Sequence, residues 1–225
     1  MSISKKRLLV VAHPDDESLF FMGALMDRNL GPWHVACVTD GNADGDGLRR
    51  RKQFEKACDM LKVEKSHWLG LPDIYEKRLD PATLQAKLSE LDPPSEVYTH
   101  GPIGEYMHPH HQDVCFIVTN FYHQKIQVYL AAYNTFPERT FPLTAAQFEL
   151  RTKILADIYG TETMRFINML PARHEDGFIK ADQDEVNAIY KYLTQPDFKL
   201  PVTKNYEWLR NYLEHRKNNP TERPF

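Results

Sequence analysis

The stretch RLLVVAHPDDESLFF, residues Arg7–Phe21, decides the fold. It opens on an unbroken apolar run, the pattern of a strand whose two faces are both covered by helices in a parallel sheet. From His13 to Glu17 it turns polar and acidic, and an apolar helix begins near Ser18. A buried strand that runs through a short turn into a helix is the opening of an α/β unit. The same alternation continues outward. Strands are expected at Arg7 to Ala12, His34 to Thr39, Ser66 to Leu69, Glu96 to Thr99 and Gln127 to Ala132. Helices are expected at Ser18 to Asn29, Leu48 to Leu61, Pro81 to Leu91 and His111 to Tyr122, where apolar residues recur at three and four. Beyond about residue 140 the pattern turns helical, near Ala145 to Tyr159, Asp182 to Leu193 and Tyr206 to Arg216. The expectation is one α/β domain over residues 1–225. A Rossmann-like, mostly parallel sheet flanked by helices fills about 5–140, a helical C-terminal extension about 141–218, and KNNPTERPF forms a loose tail.

Composition narrows the function. The chain has 225 residues, 42% hydrophobic and 26% charged, with a formal net charge of −3. A chain this long buries roughly 70% of its unfolded surface, so a metal is not needed merely to hold the core. The charge balance offers no footprint for nucleic acid, and the cluster Arg49, Arg50, Arg51, Lys52 reads as a solvated helix face. The apolar run at the N-terminus is too short for a signal peptide or a membrane span. Cys37, Cys58 and Cys115 are odd in number and lie in apolar segments, as buried thiols of a reducing compartment do. A cytoplasmic location is expected, and oligomeric state is unreadable.

In an open parallel sheet, ligands bind beyond the carboxyl ends of the strands. Two such turns carry chemistry. The first is His13, Pro14, Asp15, Asp16, Glu17, where adjacent carboxylates demand a cation, a helix N-terminus or protonation; helix capping by Asp15 or Asp16 is the simpler alternative. The second follows the fourth strand and contains His100, Glu105, Tyr106, His108, His110, His111 and Asp113. Imidazole and carboxylate donors from two such turns suit a catalytic zinc with three protein ligands and one open position. The segment DGNADGDG, Asp40 to Gly47, starts like a calcium loop, but Arg51 stands where a bidentate glutamate is required. It reads instead as a flexible rim loop able to meet substrate hydroxyls, with Asp40 at its head. Arg50 is either a substrate contact or a surface helix arginine, and Asp73 either a substrate contact or a turn former.

These residues resemble the LmbE-like, or PIG-L, family of zinc-dependent N-acetylglucosaminyl deacetylases. The family signature AHPDDE stands at Ala12 to Glu17, and HPDH stands as His108, Pro109, His110, His111. Further likeness lies in TDG at Thr39 to Gly41, in Arg50, Ala57 and Leu61, in LGLPD at Leu69 to Asp73, and more weakly at Lys153, Tyr159, Glu175 and Phe178, about three quarters of the chain. The resemblance implies that His13, Asp16 and His111 hold the metal and that Asp15 is the general base. It implies that His108 and Tyr106 stabilise the oxyanion or protonate the leaving amine, with an imidazolium at His108. Two positions depart from the pattern: His110 replaces an aspartate and Gln53 a glutamate. The implied substrate is an N-acetylated amino sugar or its conjugate. Two alternatives stay open on the residues alone. Two histidines and a carboxylate also make the facial triad of a non-haem iron oxygenase, and a relative that only binds sugar would keep the fold.

Overall fold

The computed structural model describes residues 6–163, 174–199 and 202–219. The strands β1 (Arg7–Val11), β2 (Trp33–Thr39), β3 (Lys65–Leu71), β4 (Glu96–Thr99) and β5 (Gln127–Ala131) form a parallel array, as the alternation predicts. Two further strands, β6 (Arg139–Pro142) and β7 (Glu175–Lys180), extend it antiparallel to β5 through β7, in the order β3-β2-β1-β4-β5-β7-β6. The expected helical extension keeps its three helices, Ala145–Lys153, Gln183–Thr194 and Arg210–Asn218, and is corrected by these two strands. Both strands were illegible because β6 is four residues ending in proline, and β7 opens on two acids and a glycine. The end of the tail, from residue 220, lies outside the described residues.

Alternation along β1 sorts the core into two layers. Leu9 and Val11 face one layer with Phe20, Phe21, Phe54 and Phe178, while Leu8, Val10 and Ala12 face the other with Leu84, Val114 and Val118. Helices α3 (Gly47–Met60), α4 (Pro81–Ser89), α5 (Pro109–Tyr122) and α6 (Gln183–Thr194) supply the flanking layers. The predicted helix after the first turn is broken into α1 (Asp16–Phe20) and α2 (Met22–Leu25), because Phe21 leaves the helical backbone at φ −129°. The amide of Gly23 then donates to Asp176 Oδ2 at 2.5 Å, and Arg151 Nη2 binds the same oxygen at 2.5 Å. This pins β7 to α2.

The chain runs from β1 outward to β2 and β3, then returns to β4 on the other side of β1. The sheet thus reverses direction between β1 and β4. At such a switch point the loops diverge and leave a crevice. The two chemically rich turns meet there.

Candidate active site

The first turn folds onto itself. Asp16 Oδ2 accepts the backbone N–H of His13 at 2.7 Å, and Glu17 Oε2 accepts that of Asp15 at 3.1 Å. Neither aspartate caps α1, so the capping alternative fails: Asp15 at the N-cap makes no side-chain cap and sits at φ +112°. A non-glycine residue there costs of order 1–3 kcal/mol, which surrounding structure must hold in place. Glu17 does part of that, and its Oε1 accepts the hydroxyls of Ser18 at 2.6 Å and Tyr159 at 3.0 Å.

The second turn is equally constrained. Gly104, Glu105 and Met107 all have positive φ, and a Cβ on Gly104 would come within 2.6 Å of the His108 carbonyl oxygen. This winding brings Glu105 beneath the imidazoles. Its Oε2 lies 2.6 Å from His111 Nδ1 and 2.9 Å from His100 Nδ1, and its Oε1 accepts the N–H of Gly101 at 2.9 Å. A carboxylate only accepts, so Nδ1 of His111 carries its proton and Nε2 is left as a lone pair. Pro109 begins α5, and His108 caps it by accepting the N–H of His110 at Nδ1, 3.2 Å away.

Between the turns, three donors converge. His13 Nδ1 lies 3.1 Å from His111 Nε2 and 3.5 Å from Asp16 Oδ2, and His111 Nε2 lies 3.3 Å from Asp16 Oδ1. Ligands about 2.0–2.1 Å from a tetrahedral zinc are about 3.3 Å apart, so these separations suit a shared ion. Asp16 Oδ1 is buried and accepts no hydrogen bond. An orphaned buried carboxylate oxygen beside two imidazole nitrogens is otherwise costly, and a cation is the partner that fits. The access is one-sided: Asp16 and His111 are 0% exposed, His13 8% and Asp15 6%.

Electrostatics separates the groups. Burial pushes Asp15 up to about 7 against the pull of Arg50. Burial alone would raise Asp16, but His111 and His100 hold it well below the usual carboxylate range. Burial lowers His111 to about 4 despite Asp16. Burial would also lower His13 and His100, yet hydrogen bonds to Asp16 and Asp73 raise His13 to about 10, and Glu105 with Asp16 raises His100 to about 9. For His108, burial and the neighbouring His13, His111 and His110 all lower the pKa well below the usual value. That corrects the expected imidazolium: His108 is neutral as placed.

Above the donors opens a cleft of about 400 Å³, lined among others by His13, Asp15, Arg50, Asp73, Tyr106 and His108. Arg50 is turned onto the protein rather than left free for substrate. Its Nη2 binds the Pro14 carbonyl at 2.5 Å and Asp15 Oδ2 at 3.2 Å, and its Nη1 lies 3.2 Å from Glu162 Oε2. Asp73 Oδ1 faces His13 Nε2 at 3.5 Å and His110 Nδ1 at 3.3 Å. Asp40 is not among the cleft's lining residues; its Oδ1 accepts the N–H of Asn42 and of Asp73, bracing two rim loops. His174, just before β7, is exposed and is not among the residues lining the cleft. The departure at Gln53 has a local reason, since its Nε2 donates to the Ile158 carbonyl, which a carboxylate cannot do.

Sequence reasoning left His100, Glu105, Glu17 and Glu162 without roles. His100 was findable, because it follows β4 as His13 follows β1. Glu162 was not. It reaches the cleft after a π-helical turn, Ile154–Ile158, that no periodicity announces.

Comparison with known proteins gives consistent results. The family model PIG-L, described as GlcNAc-PI de-N-acetylase, matches residues 8–122, just over half the chain. A probable N-acetylglucosaminyl-phosphatidylinositol de-N-acetylase of Schizosaccharomyces pombe is 33% identical over 92 residues, covering 37% of this chain and 37% of that protein. The N-acetylglucosaminyl-phosphatidylinositol de-N-acetylase of Bos taurus is 32% identical over 83 residues, covering 34% and 33%. The chain thus spans about a third of the length of these curated relatives. Among solved structures, the N,N'-diacetylchitobiose deacetylase of Pyrococcus horikoshii superposes with a TM-score of 0.61 at 21% identity, covering 79% of this chain and 84% of that one. At that identity the likeness speaks for the fold alone.

Proposed function

The chain belongs to the PIG-L family, and on that premise we propose that it is a metal-dependent N-deacetylase hydrolysing the acetamide of an N-acetylglucosamine-type amino sugar or its conjugate. The observation that carries the reading is the convergence of His13, Asp16 and His111 on one point beneath a cleft that also holds Asp15, with Asp16 Oδ1 left orphaned. The ion proposed is zinc, which His13 Nδ1, the Asp16 carboxylate and His111 Nε2 would hold; iron or another divalent ion is the alternative occupant. When bound, such an ion polarises an amide carbonyl and brings water close to ionisation at neutral pH.

The chain's own groups supply the rest. Asp15 takes the proton of the attacking water, and its raised pKa sits near the pH at which a base works best. Arg50 clamps the Asp15 carboxylate in place. Protonated Asp15 then returns the proton to the departing amine nitrogen. His108 accepts its own helix's N–H at Nδ1, so its proton is on Nε2, and as a neutral donor it hydrogen-bonds the oxyanion that develops on the amide. The Tyr106 hydroxyl is a second donor from the same wall. With Arg50 and Asp73 committed to protein partners, sugar hydroxyls are met by Asn42, Asp44 and Glu76 on the rim.

No helix among the described residues is long and apolar enough to cross a membrane. The proposed compartment is the cytoplasm, supported by three buried free thiols. The test is metal analysis of the purified protein combined with acetate release from a panel of N-acetylglucosamine conjugates. Acetate is expected with zinc and not after a strong chelator. Release that ignores the chelator, or no release from any conjugate, refutes the reading.

A further inference from the structure

The cleft above the converging donors is lopsided in charge. Asp15, Asp44, Asp46, Asp73, Glu76 and Glu162 all line it. Imidazoles aside, its only cationic lining among the described residues is the guanidiniums of Arg49 and Arg50, both from the first turn of α3. Adjacent guanidiniums on a cleft wall are what recognition of a phosphate, sulfate or carboxylate group uses. Here an internal anion already holds the pair. Arg49 Nη2 donates to Glu162 Oε1 at 2.8 Å, and Arg50 Nη1 lies 3.2 Å from Glu162 Oε2. The second contact lacks hydrogen-bond alignment, so charge alone holds it. The other faces of both guanidiniums are occupied too. Arg49 donates to Asp46 Oδ2 at 2.8 Å and to Thr161 Oγ1 at 2.9 Å, and Arg50 Nη2 to the Pro14 carbonyl and Asp15. Thr161 in turn donates to Glu162 Oε2 at 2.9 Å. Partial burial would raise the Glu162 pKa, but the hydrogen bond from Arg49 and the charge of Arg50 hold it below the usual carboxylate range.

We propose that Glu162 is a specificity-determining residue: as an anion built into the arginine pair, it makes the cleft take glycosides whose aglycone is uncharged or carries an ammonium group, and reject those whose aglycone is anionic. This names the substrate class of the deacetylase reading above and rests on it. Two effects act in the same direction. An entering anion finds each guanidinium matched by a carboxylate and has to displace Glu162 to reach it. It also comes close to Asp44 and Glu76 on the rim, where like charges repel. In a cleft of about 400 Å³, a group joined to the bound sugar stays within about one Debye length of these charges. An ammonium group meets the reverse, and an uncharged one needs neither. Selection therefore works by repulsion of the wrong partner as much as by attraction of the right one.

The test uses the full zinc-loaded chain and three N-acetylglucosaminides that differ only at the end of an ethyl aglycone: tert-butyl, trimethylammonium or sulfonate. Acetate release gives kcat/KM for each, and calorimetry gives a Kd that needs no turnover. In the wild type the sulfonate glycoside is expected to be handled about 10-fold or more worse than the tert-butyl one, and the trimethylammonium glycoside at least as well. Salt at about 0.5 M is expected to shrink the sulfonate deficit to within about 3-fold. In Glu162→Gln the arginine pair is opened, and the sulfonate to tert-butyl ratio is expected to rise about 5-fold or more. Because each ratio is taken within one protein, a loss of kcat from loosening Arg50 on Asp15 cancels. A wild type that handles the sulfonate as well as the tert-butyl glycoside, or the trimethylammonium glycoside worse, overturns the proposal. So does a deficit that Glu162→Gln leaves unchanged. Acetate from none of the three counts against the deacetylase reading instead, and the Kd ratios still decide whether Glu162 selects by charge.

Discussion

Replacing Arg151 by methionine tests how the last two strands are held to the sheet. Arg151 is 2% exposed and Asp176 0%, and Nη2 of the arginine meets Oδ2 of the aspartate at 2.5 Å, the oxygen that also accepts the Gly23 amide. Methionine keeps much of the volume and removes the charge, so the Asp176 carboxylate stays buried without its guanidinium. Breaking a buried ion pair on one side costs about 3–5 kcal/mol. For a chain of this size each kcal/mol lowers the melting temperature by about 2–4 °C, so a fall of roughly 6–20 °C is expected. Thermal and urea denaturation followed by circular dichroism measure it. The double variant Arg151→Met/Asp176→Asn keeps an acceptor for Gly23 and removes the charge that the guanidinium met, so it is expected to recover most of the loss. A single variant that loses less than about 1 kcal/mol, or a double variant no better than the single, refutes the argument.

Asp15→Asn is expected to keep zinc content unchanged while kcat for acetate release falls about 10²–10⁴-fold, and a near-normal rate removes Asp15 as the base. His13→Ala is expected to lose both metal and turnover, checked by metal analysis after gel filtration; retained stoichiometric zinc contradicts its place as a ligand. Glu105→Gln swaps the charged acceptor under His100 and His111 for a neutral one, and zinc affinity is expected to fall about 10- to 100-fold in chelator competition. Tyr159→Phe removes the hydroxyl on Glu17 and is expected to cost about 1–2 kcal/mol in urea unfolding, whereas a neutral effect means that bond adds nothing to the fold.

The parallel half of the sheet was legible because LLVVA and VACV are buried on both faces and read as such. The two donor turns were legible for a related reason: polar residues directly after such runs must sit at the sheet's carboxyl end. Roles within the site were less so. Nothing in the spacing says that Arg50 folds back onto Asp15, or that Asp40 serves loops instead of ligand, since both depend on where side chains turn after the backbone is placed. Nor does an imidazole's protonation follow from its motif. Burial, with the neighbouring imidazoles adding to it, holds the His108 pKa well below the usual value, which only the packed turn reveals. The antiparallel strands escaped for want of pattern, and Asp176, a buried acid in β7, breaks the alternation that would mark a strand.

The clasp from Tyr159 to Glu17 and from Glu162 to Arg50 ties the turn after β1 to residues beyond the reach of the family match. A chimera that grafts another relative's C-terminal third onto this N-terminal portion would therefore transplant more than a passive cover. It would replace the far anchor of the arginine that restrains Asp15, so exchanging the back of the molecule would retune the acid at its front even with every donor atom to the ion left untouched.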